Sequence, residues 1–176
     1  MENEKRLKIL FLCTGNSCRS QMAEGLTRHL IKDQIDAYSA GIDPKGIDPR
    51  AIIVMEEIGI DISHQQSKST AEIKDIEFDF VITLCDNAQK TCPSFPAKTS
   101  LFHMSFDDPP RLTENSKNEQ EALEHYRRVR DEIKIFVEKL PEILNKKKEV
   151  VFDQTQFVAG LKSVLGKFPE SLKSTK

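Results

Sequence analysis

The stretch CTGNSCRS, residues 13–20, sets a cysteine six positions before an arginine, with a glycine and hydroxyl side chains around them. A cysteine is a strong nucleophile once it is a thiolate, so the question is what would lower its pKa. The backbone N–H groups of Thr14, Gly15, Asn16, Ser17, Cys18, Arg19 and Ser20, leading into a helix, can converge on one tetrahedral oxyanion. Arg19 adds a planar fork for two of its oxygens, and together with the amides is expected to hold the Cys13 thiol below its ordinary value. Ser20 can donate its hydroxyl to the thiolate, and Gly15 is expected to supply the unusual backbone conformation of such a loop. That chemistry is attack by Cys13 on a bound oxyanion. The plain alternative is a buried cysteine beside a salt-bridged arginine.

The surrounding elements favour the first reading. Residues 6–13, RLKILFLC, form a short apolar run that suits a buried strand, ended by TGNS. From Gln21 to Ile31 the apolar positions Met22, Ala23, Leu26, Leu30 and Ile31 recur at helical spacing. A second strand is expected at Ile35–Gly41, then a helix from about Pro49 that stops at Gly59. Phe78–Cys85, FDFVITLC, reads as another buried strand ending in a cysteine, and a weaker one lies near TSLFHM. A long amphipathic helix is expected from about Glu119 to Leu144. Strand and helix alternate, so the fold class is α/β: one domain of three layers, α/β/α, around a four-stranded parallel sheet, with the anion loop after the first strand. Ligands of such sheets sit at the carboxyl ends of the strands, where Cys13 and Cys85 both fall.

A chain of 176 residues with 38% hydrophobic content can bury one ordinary core. The expected domain is 1–149, with residues 150–176 a C-terminal extension, helical by the spacing of Val158, Leu161, Val164 and Leu165. The net charge of −2 gives no global attraction for nucleic acid or a membrane surface, so any anion site is local. The charged start MENEKRLKIL does not suit a signal peptide, and no apolar run reaches the roughly 18 residues of a membrane span. A cytoplasmic location is expected, where four cysteines are buried thiols, redox groups or nucleophiles rather than structural disulfides. Cys92 follows Cys85 by seven residues in the polar stretch DNAQKTC. Taken alone, the two could be unrelated thiols.

The loop resembles that of the low-molecular-weight tyrosine phosphatase fold family, and CTGNSCRSQMAEG is most similar to its thioredoxin-coupled arsenate reductases. YSAGI at 38–42, GIDIS at 59–63, VITLCDNAQKTCP at 81–93 and HMSFDDPP at 103–110 extend the resemblance over residues 6–144. The resemblance implies arsenate as substrate, thioredoxin as electron donor and no bound cofactor. It implies that Cys13 attacks arsenic with Asp108 as general acid. Cys85 then attacks Cys13 and releases arsenite, and Cys92 displaces Cys13 to leave a Cys85–Cys92 disulfide.

The phosphatase branch of the family is the rival, with a phosphocysteine on Cys13 hydrolysed by water and Asp108 as acid and then base. The sequence offers little to grip an aryl ring: it has no tryptophan, only Tyr38 and Tyr126, and Pro110 where the phosphatases commonly carry tyrosine after aspartate-proline. A non-enzymatic oxyanion or redox sensor is a third possibility. His29 and His125 fall within helices, and His64 and His103 lack metal-ligand spacing, so no metal is assigned to them. Some family reductases hold potassium near the loop; Asn16, Glu24 and Ser39 match three of its ligands. Lys68 stands where an acidic ligand is expected, and its ammonium could replace the cation.

Overall fold

The computed structural model describes residues 6–149. Strand β1 (Leu7–Cys13) leads into helix α1 (Arg19–Leu30), β2 (Ile35–Gly41) and α2 (Pro49–Glu56). After a 3₁₀ turn at Thr70–Ile73 come β3 (Phe80–Thr83), α3 (Asp86–Lys90), β4 (Ser100–His103), α4 (Pro109–Leu112), a second 3₁₀ turn at Thr113–Asn115 and α5 (Glu119–Glu149). The four strands are all parallel in the order β2-β1-β3-β4. The chain leaves β1 to one side to make β2 and returns to its other side for β3. The loop after β1 therefore stands over the point where the strand order reverses, the place where such sheets open a crevice.

The central strand explains its own composition. Ile9, Leu10, Phe11 and Leu12 are completely buried, as a parallel strand covered on both faces requires. Leu10 and Leu12 join Val81 of β3, Ile73 of the first 3₁₀ turn and Ala88 of α3 in one apolar cluster. Ile9 and Phe11 alternate to the opposite face. The helices on that side are tied to one another: α1 packs on α2, and Arg130 of α5 donates to the Val54 carbonyl of α2 at 2.7 Å.

The expected strand Phe78–Cys85 is shorter than its apolar run. At its start the Asp79 carboxylate accepts from the Lys8 amide at 2.8 Å. At its end the Leu84 amide still reaches the Leu12 carbonyl at 2.9 Å, but the chain then turns. Cys85 lies beyond the strand as the cap of α3, its sulfur accepting from the Ala88 amide at 3.4 Å. Helix α2 starts as Asp48-Pro49 leads one to expect, with the Asp48 carboxylate accepting from the Arg50 amide at 2.9 Å. Two compact units divide within α5, one ending at Lys139 and the other beginning at Leu140. Pro141, which has no N–H to give the helical ladder, sits at that division. The expected extension 150–176 lies outside the described residues.

Candidate active site

The loop between β1 and α1 is held from outside by its carbonyl oxygens. Those of Cys13, Thr14, Gly15 and Ser17 accept from the amides of Ile42, Asp43, Lys45 and Asp48, at 2.9–3.2 Å. The Asn16 carbonyl accepts from Gln21 Nε2 at 3.0 Å. In a trans peptide the N–H points opposite the preceding C=O, so carbonyls turned outward leave the amides of Thr14 through Cys18 facing the other way. The left-handed residue of the loop is Asn16, at φ +44°, not Gly15. Asparagine tolerates that conformation, and here its side chain secures it: Nδ2 donates to Ser20 Oγ at 2.9 Å, and Oδ1 accepts from the Lys68 amide at 2.7 Å. Ser20 is thus engaged with Asn16.

Gly41, paired with Cys13 in the sheet, lets the end of β2 meet this loop. A Cβ there would come within 2.8 Å of the Asn16 nitrogen and the Thr14 oxygen. Sequence reasoning missed this glycine, together with Gln21 and the Asp48–Tyr126 bond of 2.6 Å that steadies the residue holding the Ser17 carbonyl. The Asp48-Pro49 pair was a readable signal for the helix cap but not for the loop beside it.

Arg19 is buried at the first turn of α1. Its guanidinium donates to the Phe106 carbonyl at 2.9 Å and pairs with Asp108 Oδ1 at 2.8 Å. Its Nε is buried with no hydrogen-bond partner among the described residues. A buried donor left so costs about 1–3 kcal/mol, which an oxyanion acceptor would offset. Asp108, half-buried, caps the start of α4, so the segment after β4 brings a carboxyl group to the arginine of the loop.

Cys13 and Cys85 face each other with their sulfurs 3.7 Å apart. Thr14 Oγ1 lies 3.3 Å from Cys85 Sγ. A hydrogen bond from Cys13 to Cys85 couples the two thiols. Cys13 donates, so its thiol is pushed well above the ordinary range, by that bond first and then by burial. Cys85 accepts from Cys13, and with Thr14, the Ala88 amide and the nearby Arg19 charge it is lowered to about 5. That hydrogen bond favours negative charge on Cys85 over Cys13 while the sulfurs are paired in this way; the Arg19 charge lowers both. Cys18 is fully enclosed, its thiol raised well above normal by burial. Cys92, partly buried, packs against the cluster that contains Cys13 and Cys85, and burial raises its thiol too.

A cysteine at the edge of an amide-lined loop, an arginine opening the helix after it, an aspartate on that arginine and a second thiol on the cysteine can be compared with known proteins. Residues 8–150 match the family described as low molecular weight phosphotyrosine protein phosphatase. The chain belongs to that family. An arsenate reductase of Halalkalibacterium halodurans is 48% identical over 125 residues, 71% of this chain and 88% of that one. A solved arsenate reductase in a phosphate-binding state is 34% identical, with a TM-score of 0.60 over 76% of this chain and 95% of its own. The low molecular weight protein tyrosine phosphatase of T. tengcongensis is 26% identical at the same TM-score, covering 77% of this chain and 98% of its own.

The potassium ion that some members of the family hold does not fit these side chains. Asn16 Oδ1 is already an acceptor for the Lys68 amide. Glu24, 1% exposed, accepts from the Ser39 hydroxyl and pairs with Arg28 at 2.7 Å. The Lys68 ammonium stands 3.9 Å from its other side. The carboxylate that would attract a cation has two fixed ones. Among the described residues no helix is long and apolar enough to cross a membrane.

Proposed function

We propose that this chain reduces arsenate to arsenite with its own thiols, and that thioredoxin restores them. The observation that carries the reading is the pair Cys13–Cys85: a phosphatase needs one sulfur over the anion loop, and here a second touches it at 3.7 Å, its thiol held below the ordinary value. Arsenate occupies the loop on the amides of Thr14 through Ser20 and the Arg19 fork. Cys85 takes the proton from Cys13, and the freed Cys13 thiolate attacks arsenic. An arsenate oxygen leaves as water with a proton from Asp108.

The next step moves two electrons. Cys85 passes the Cys13 proton to an oxygen of the arsenic adduct and, as a thiolate, attacks Cys13 Sγ; the pair in the sulfur–arsenic bond passes to arsenic, which departs as arsenite. The sulfurs have then closed from 3.7 Å to a disulfide of about 2.05 Å. Cys92 then attacks Cys85 and expels Cys13 as a thiolate, and the Cys85–Cys92 disulfide goes to the thioredoxin dithiol. No cofactor enters.

The alternative is phosphomonoester hydrolysis through a phosphocysteine, which the Arg19–Asp108 contact would serve equally. Arsenate-dependent NADPH consumption with thioredoxin and its reductase separates the two. Steady turnover supports reduction; no arsenate turnover beside brisk phosphatase activity that survives loss of Cys85 favours hydrolysis.

A further inference from the structure

The segment between Cys85 and Cys92 is gripped at its start by contacts that the chemistry above leaves unused. His103, the last residue of β4, has Nε2 at 3.1 Å from Asp86 Oδ1 and Nδ1 at 2.8 Å from Thr83 Oγ1. One tautomer satisfies both: the Thr83 hydroxyl donates to Nδ1, and Nε2–H donates to Asp86. Thr83 is buried at the end of β3, so the ring is fixed from the sheet and reaches out to an aspartate on the surface. The Ser105 hydroxyl, then His103, hold the Asp86 carboxyl below its ordinary value. Asp86 is the first residue of α3 and the neighbour of Cys85. On the other side, Asn87 Nδ2 donates to Thr14 Oγ1 at 3.0 Å.

These contacts bear on a geometric obstacle. Cys85 and Cys92 flank helix α3, whose five residues rise about 7.5 Å. A disulfide needs Cα atoms about 4.4–6.8 Å apart. A wound α3 therefore opposes the approach of Cys92 to Cys85, and its unwinding eases it. Five residues of helix have little stability of their own. One support, the cap bond from the Ala88 amide to Cys85, weakens once that sulfur is tied in a disulfide to Cys13. The grip on Asp86 persists.

We propose that His103 is a positioning residue for the second thiol exchange: by holding Asp86 from the end of β4 it keeps α3 wound and limits the rate at which Cys92 reaches Cys85. In that exchange the Cys92 thiolate attacks Cys85 Sγ, the Cys85–Cys92 bond forms as Cys13–Cys85 breaks, and Cys13 leaves with the electron pair, without net oxidation. Its use in catalysis rests on the reading as an arsenate reductase; the grip itself does not.

The test uses the full chain, reduced, as wild type and as His103→Leu, His103→Gln and Asp86→Ala. Hydrogen exchange is followed at the amides of Gln89 and Thr91, which bond within α3, and at those of Leu84 and Met104, which bond to the sheet. In a Cys13→Ser background, the rate at which diamide closes Cys85–Cys92 reports the same opening without arsenate. Loss of the grip is expected to speed both readouts about fivefold in His103→Leu and Asp86→Ala, with Leu84 and Met104 unmoved. The glutamine amide can still donate to Asp86, so His103→Gln should stay within about twofold of wild type. Asp86 is exposed, so its variant keeps the test open if His103→Leu fails to fold. Unchanged exchange at Gln89 and Thr91 in Asp86→Ala, equal acceleration at Leu84 and Met104, or no faster closure by diamide would overturn the proposal. Neither readout involves arsenate, so these failures are distinct from a failure of the arsenate reading.

Discussion

At the residue scale the site depends on where one proton sits. The Cys13–Cys85 bond favours charge on Cys85, whose thiol it helps hold down at about 5, over Cys13, whose thiol it pushes well above the ordinary range. The sequence pointed to Cys13 as the thiolate beside Arg19 but not to its hydrogen bond with Cys85, because nothing in the spacing of two cysteines 72 residues apart reveals a contact of 3.7 Å. Thiolate absorbance should therefore show a titration step near pH 5 that disappears in Cys85→Ser; a first step near the ordinary cysteine value would refute the assignment. The sign follows for stability: a depressed thiol stabilises the fold above its unfolded value and loses that contribution as pH falls through about 5. The raised Cys13 thiol acts oppositely, its contribution present below its unfolded value and lost as pH rises through its higher folded one. Lys68 is a second residue-scale case. It stands where the resemblance asks for an acid, and its ammonium lies by Glu24. Exchanging potassium for choline at constant ionic strength should leave Tm unchanged, whereas Lys68→Ala should lower stability by about 1 kcal/mol. A potassium-dependent Tm in the wild type would contradict this.

At the element scale the four parallel strands and their alternation with helices were legible, though not the strand order, because an apolar run such as ILFL has few other uses than a doubly covered strand. Strand ends were not. The run FDFVITLC continues past the strand because Leu84 and Cys85 are buried for a different reason, as the turn into α3 and its cap. The short helices α3 and α4 lacked a periodic signal, since neither is long enough to show one. Gly41 was equally silent: its need appears only when β2 is laid beside the loop. Gly41→Ala should push a methyl group against the backbone of Thr14 and Asn16, costing about 1–3 kcal/mol. Displacing the loop should also lower kcat by more than about tenfold. Thermal unfolding and turnover of the variant check both, and wild-type values would show that the loop does not need that close approach.

At the scale of the whole molecule, every side chain assigned to the chemistry lies between Cys13 and Asp108, within the unit that ends at Lys139. We propose that residues 150–176 are an appendage to the chemistry, so truncation after Glu149 should preserve turnover per folded molecule; loss of turnover in a stably folded truncation would assign the segment a role. What unites the molecule is that three strand ends deliver the parts: β1 ends on Cys13 itself, and the segments after β3 and β4 bring the second thiol and the aspartate. The resolving role of Cys85 is the central claim, and one variant tests it most directly. Cys92→Ser, given arsenate and thioredoxin, should release one arsenite per enzyme and stop, and peptide mapping should find Cys13 joined to Cys85. Repeated turnover, or arsenite release with no Cys13–Cys85 disulfide, would contradict it.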